Sequence, residues 1–154
     1  MSGLEKLDEL LTRTARLYRR PQLRESLVAA VPGIGSAVNL QILRAIETRL
    51  RSGERPAVGD IAYDLVIEAS TASRAVQAAV ERGLLEKSPS DSDQRKSLLN
   101  ITPRGWEVLK QAGDHRLALL RSAVGDWPGG DIDLLVGLLD RLVRRYEERG
   151  SGGA

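Results

Sequence analysis

The stretch between Ser70 and Gly105 constrains this chain more than any other. It holds, in order, an amphipathic run ending at Arg82-Gly83, the apolar pair Leu84-Leu85, the polar stretch Ser88-Pro89-Ser90-Asp91-Ser92-Asp93-Gln94-Arg95-Lys96, a second apolar run from Leu98 to Ile101, and Thr102-Pro103. Gly after the last periodic residue stands where a helix commonly needs a left-handed cap. Thr followed by Pro is a helix start, with Thr as cap and Pro in a position where its missing N–H costs nothing. The two short apolar runs between these signals, separated by turn-forming Ser, Pro and Asp, read as a β-hairpin with strands over Leu84 to Lys87 and Lys96 to Ile101. In the polar stretch both acids precede both bases, an order that solubility alone does not require.

The rest of the chain reads as helices. Leu4, Leu7, Leu11 and Tyr18 fall at helical spacing, widened by Leu10 and Leu17, and Pro21 closes the segment. A short second helix is expected over Gln22 to Val31, stopped by Pro32-Gly33. Ser36 reads as the N-cap of a third, whose buried face is Leu40, Leu43, Ile46 and Leu50 and whose end is Ser52-Gly53. After Pro56, Val58, Ile61, Ala62 and Leu65 give a helix of about two turns, followed by one from Ser70 to Arg82. Beyond the hairpin, a helix from Thr102-Pro103 to about Val124 is broken by Asp126-Trp127-Pro128-Gly129-Gly130. A last helix from Ile132 to Arg149 carries Leu135, Leu138, Leu139, Leu142 and Tyr146 on one side.

Two short helices followed at once by a hairpin form a winged helix-turn-helix. On the second of these helices Ala72, Ala75, Val76, Ala79 and Val80 recur at the spacing of one buried face, and their small size allows close packing. The opposite face presents Ser70, Ser73, Arg74, Gln77 and Glu81. Arg reads guanine O6 and N7, Gln reads adenine in the same bidentate way, and hydroxyls reach phosphates or base edges. Arg74 and Gln77 are therefore the expected base readers. Any exposed helix face is polar, so the weight falls on the hairpin that follows, where Arg95 and Lys96 stand as a wing would meet the backbone or minor groove.

In these motifs the chain resembles the MarR family of bacterial transcription regulators. The matching residues are Ile61-Ala62-x-x-Leu65, Thr71-x-Ser73-Arg74, Arg82-Gly83-Leu84, Asp93-x-Arg95 and Leu98 through Ile101-Thr102-Pro103-x-Gly105, and the flanking helices fall in the family's order. The resemblance implies a homodimer in which the first and last helices interleave, with the recognition helix, including Ser70, Thr71, Ser73, Arg74 and Gln77, in the major groove. It implies Arg95 in the minor groove, oriented by Asp93, and a repressor released by a small-molecule effector bound between the dimerisation and DNA-binding parts. The chain departs from the family's pattern at Val66 and Glu68, where a small turn residue and a Ser or Thr cap are usual. Glu68 suits the helix dipole but repels phosphate.

The fold expected is thus mainly α with a small β-hairpin: dimerisation helices over 1–35, a winged helix over 36–104, dimerisation helices over 105–149 and a flexible tail over 150–154. Leu4, Leu7, Leu11, Leu135, Leu138, Leu142 and Tyr146 could form an intrachain stripe. Together, however, the end helices offer more apolar surface than one small winged helix can cover, which favours a dimer interface. Trp106 and Tyr63 are pocket candidates against the commoner reading of aromatics as core or interface residues.

Composition narrows the function classes. There is no Cys and one His among 154 residues, so disulfides, thiolate zinc sites and thiol redox chemistry are excluded. His115, beside Asp114, has neither a second His nor a Gly-rich phosphate loop to work with, so no enzyme, metal or cofactor is expected. No segment has the length to cross a bilayer and the N-terminus does not read as a secretory signal, which points to the cytoplasm. Charge is uneven: residues 1–55 carry ten Lys and Arg against six Asp and Glu, whereas residues 56–110 carry seven against eight. Binding to duplex DNA with an inverted repeat must therefore rest on where the bases are placed. The alternative left open by Glu68 and the acidic balance is a winged-helix protein-interaction module without DNA binding.

Overall fold

The computed structural model describes residues 2–90 and 97–151. Its elements are α1 (Gly3–Tyr18), α2 (Pro21–Ala30), α3 (Ala37–Arg51), α4 (Val58–Leu65), α5 (Ala69–Glu81), β1 (Leu85–Pro89), β2 (Ser97–Ile101), α6 (Pro103–Val124) and α7 (Gly129–Ser151). They fall into two compact units, Met1–Arg116 and Leu117–Ala154.

In the first unit, capping residues set where the helices begin. Ser2 and Glu5 make a reciprocal capping box on α1. The Ser36 hydroxyl accepts from the Asn39 N–H at 3.2 Å, while the buried Asn39 amide donates to the Ile34 carbonyl at 2.7 Å and fixes the entry to α3. On α4 the Asp60 carboxylate accepts from the Ala57 N–H at 2.8 Å. The core gathers Val31, Ile34, Ile42, Leu43, Ile46, Ile61, Val76, Leu84 and Leu99, each almost wholly buried. At about 1.5–3 kcal/mol per buried side chain, this cluster dominates the stability of the unit. On α3 the expected Leu40, Leu43 and Ile46 are buried, with Ile42 beside them, and Leu50 packs against the cluster from its edge.

Several boundaries differ from the sequence reading. Pro21 opens α2 instead of closing the first helix, because its fixed φ and missing N–H suit a first-turn position. Leu84 is not part of the first strand, which runs from Leu85 to Pro89 in register with Ser97–Ile101. It belongs to the cap of α5: Gly83, at φ +70°, donates to the Val80 carbonyl at 2.8 Å, Leu84 donates to Ala79 at 2.9 Å, and the Leu84 side chain closes the turn in the core. In the second unit α7 starts at Gly129, not Ile132. Pro128 makes the break, and Asp131 complements the dipole of a first turn that the two glycines can enter. The helix continues to Ser151, into the stretch read as a tail.

Among the described residues, α1 and α7 bury none within the single chain. Leu4, Leu7, Leu135, Leu138 and Tyr146 are exposed, and Leu11 and Leu142 half-buried.

Candidate nucleic-acid interface

α4, a turn and α5 lead directly into the antiparallel hairpin β1–β2. The turn is built backwards from the usual chemistry. Val66 adopts φ 53°, ψ 49°, the left-handed region, and the N–H groups of Val66 and Ile67 return to the carbonyls of Tyr63 and Ala62. This is the same double hydrogen-bonded stop that Gly83 gives α5, here with a β-branched residue at the left-handed position. Glu68 then caps α5 with no side-chain hydrogen bond. Both departures noted in the sequence thus meet at the start of the candidate reading helix.

α5 has the two faces expected of it. Ala72, Val76 and Ala79 are buried and Ala75 and Val80 pack against the core, while Ser70, Thr71, Ser73, Arg74, Gln77 and Glu81 are exposed. Gln77 is engaged within the protein: Lys87 Nζ donates to its Oε1 at 3.3 Å, and its Nε2 donates to Glu81 Oε1 at 3.2 Å.

The hairpin is tied to the helices at its base. Leu99 N–H donates to the Pro56 carbonyl at 2.8 Å, and Ala57 bridges to Leu98. Arg55 Nη2 donates to Ser88 Oγ at 2.9 Å. Thr102 links the hairpin to α6: its hydroxyl donates to the Gly83 carbonyl at 2.6 Å and accepts from the Gly105 N–H at 3.0 Å. Gly105 abuts the Leu84 carbonyl so closely that a Cβ has no space, the physical reason for Gly in the Thr-Pro-x-Gly motif. Asp93, Arg95 and Lys96 lie outside the described residues, between β1 and β2 in sequence.

Arg49 on α3 grips Asp64 on α4 through two bonds, Nε to Oδ2 at 2.6 Å and Nη2 to Oδ1 at 2.8 Å, and reaches Glu54 at 2.8 Å. The Arg49 hydrogen bond holds the Asp64 carboxyl below its usual range. These residues line a cleft of about 570 Å³ with Gln41, Arg44, Thr48 and Leu65. Burial, then the neighbouring Arg116, push the Arg44 guanidinium below its ordinary value. Neither pocket candidate lines that cleft: Tyr63 is 82% exposed on the outer side of α4, and Trp106 is 41% exposed on α6. His115 is half-buried, its Nε2 without a hydrogen-bond partner among the described residues. Those residues contain no His, Asp and Glu group able to hold a metal ion and no helix long and apolar enough to cross a membrane.

Lys87 and Arg55 were not singled out by the sequence. Lys87 shares the sheet face of Leu85, two residues before it, and alternation alone marks such a position as inward. In the structure Lys87 is exposed, and its long side chain reaches Gln77 on α5.

Comparison with known proteins agrees with this geometry. Residues 36–105 match the winged helix DNA-binding domain family. No curated protein sequence matches the chain. Among solved structures it is similar to a MarR family protein from Bacillus stearothermophilus, with 15% identity, TM-score 0.77 and coverage of 96% of this chain and 99% of that one. It is similar also to the transcriptional regulator BldR from Sulfolobus solfataricus, at 23% identity, TM-score 0.62 and 94% and 99% coverage. A third is BpsR from Bordetella bronchiseptica, whose DNA binding is regulated by 6-hydroxynicotinic acid, at 20% identity, TM-score 0.58 and 90% and 98% coverage. Residues 36–105 thus resemble a winged helix DNA-binding domain, and the chain as a whole shares its fold with a MarR family protein.

Proposed function

We propose that this protein is a homodimeric, sequence-specific regulator of transcription that binds duplex DNA at an inverted repeat, and that it has no catalytic activity. The observation that carries this reading is α5: a helix with a small-residue face buried in the core presents Ser70, Ser73, Arg74 and Gln77 outward and runs straight into a hairpin. Such a helix fits the major groove, with Arg74 and Gln77 against base edges and the hydroxyls of Ser70, Thr71 and Ser73 within reach of phosphates. Arg95, oriented by Asp93, and Lys96 add minor-groove and backbone contacts from the wing. The exposed apolar faces of α1 and α7 pair two copies through Leu4, Leu7, Leu11, Leu135, Leu138, Leu142 and Tyr146. Two reading helices about 34–36 Å apart then meet one face of the duplex. Its place is the cytoplasm, where it acts as a repressor that a small-molecule effector releases, as the regulation of BpsR by a small acid suggests by analogy of fold.

A selection of genomic fragments by the purified protein at low salt tests this. It should return an inverted repeat, and Arg74→Ala should relax preference at one position per half-site by about 1–3 kcal/mol. Retention of no fragment would favour the second reading, a protein-interaction module, to which the acidic Glu68 at the head of α5 points.

A further inference from the structure

Gln77 is offered to DNA with both ends of its amide already held. A glutamine amide has two acceptor lone pairs and two N–H donors. Lys87 occupies one lone pair and Glu81 takes one N–H. One acceptor and one donor remain, and bidentate recognition of adenine N6 and N7 uses one of each. An unrestrained amide can turn half a revolution and exchange the two, which blurs what it reads. Here that turn would bring the NH₂ group against the Lys87 ammonium and the carbonyl oxygen against the Glu81 carboxylate, replacing two charge-assisted hydrogen bonds with two repulsive contacts.

We propose that Lys87, on the hairpin, is a positioning residue that holds the Gln77 amide in one orientation through the Lys87–Gln77–Glu81 relay and so sets base discrimination beneath α5. The inference rests on the DNA-binding reading above and deepens it. It gives the hairpin a role in the major groove separate from any contact made by its tip.

The test uses the full chain, its selected operator and single-base variants of that operator, with salt titrations, for wild type, Lys87→Met, Lys87→Arg and Gln77→Ala. Lys87→Met should reduce discrimination about tenfold at the same base pair that Gln77→Ala affects, leave other positions unchanged and leave the salt slope unaltered. Lys87→Arg should restore it, and Lys87→Met should add nothing in the Gln77→Ala background. A uniform loss over all sequences with a salt slope shallower by about one unit would make Lys87 a phosphate contact and overturn the inference; so would unchanged discrimination. A wild-type protein that selects no sequence would instead overturn the DNA-binding reading. In the DNA-free protein, NMR relaxation of the Gln77 side-chain amide gives an independent check. The amide should become more mobile in Lys87→Met, and equal mobility in both proteins would refute the lock.

Discussion

Val66 occupies a backbone conformation that its own side chain disfavours. The left-handed region costs an L-residue roughly 1–2 kcal/mol, and at 90% exposure the isopropyl group recovers almost nothing by packing. Gly in its place should relieve the strain, partly offset by the greater freedom Gly gives the unfolded chain. Val66→Gly is therefore expected to raise unfolding stability by about 0.5–1 kcal/mol, read as a higher denaturant midpoint at unchanged slope. A fall in stability would mean that Val66 makes a contact worth more than the strain. The sequence marks this residue as a departure, but the departure does not say whether the turn changes shape or keeps its shape under strain. The returning hydrogen bonds to Ala62 and Tyr63 show that it keeps its shape.

Between elements, the contacts that align α4 with α3 are polar as well as apolar. Arg49 and Asp64 form a two-pronged pair, each side chain about a quarter exposed, and such geometry contributes more than an ordinary surface pair, though solvent still screens it to about 1 kcal/mol. Because the folded-state carboxyl of Asp64 is held below its usual range, its contribution is fully present above the ordinary aspartate value near 3.9 and is lost as pH falls through the depressed one. Asp64→Asn should thus destabilise at neutral pH by about 1 kcal/mol and flatten the acid limb of the stability profile, measured by urea unfolding from pH 7 downward. An unchanged limb would show that Arg49 is satisfied by Glu54 alone.

The same scale shows how far patterning carries. The helices, the hairpin and the small-residue face of α5 follow from periodicity and capping signals, because one local signal decides each. Boundaries that depend on two competing local signals, such as Pro21 and Gly129, shift by a few residues. Pairings between elements, Arg49 with Asp64 or Lys87 with Gln77, have no local signature. They join residues 15 and 10 positions apart that only the packed fold brings together.

For the whole molecule, the proposed pairing of two copies rests on the two end helices. Leu4, at 79%, and Tyr146, at 63%, lie on helices none of whose described residues is buried in the single chain, and exposed apolar surface of this kind marks an interaction site. Because Leu138 is 47% exposed, a charge there costs the isolated chain little, so Leu138→Glu separates assembly from folding. The variant should keep its helical circular dichroism and sediment as a monomer where wild type sediments as a dimer. DNA binding should then lose the gain that comes from tethering two reading helices, about 10²-fold or more on an inverted repeat, while affinity for an isolated half-site stays the same. If Leu138→Glu remains dimeric and binds the full repeat as wild type does, Leu138 is not in the interface, and the pairing must run through another face of α1 and α7.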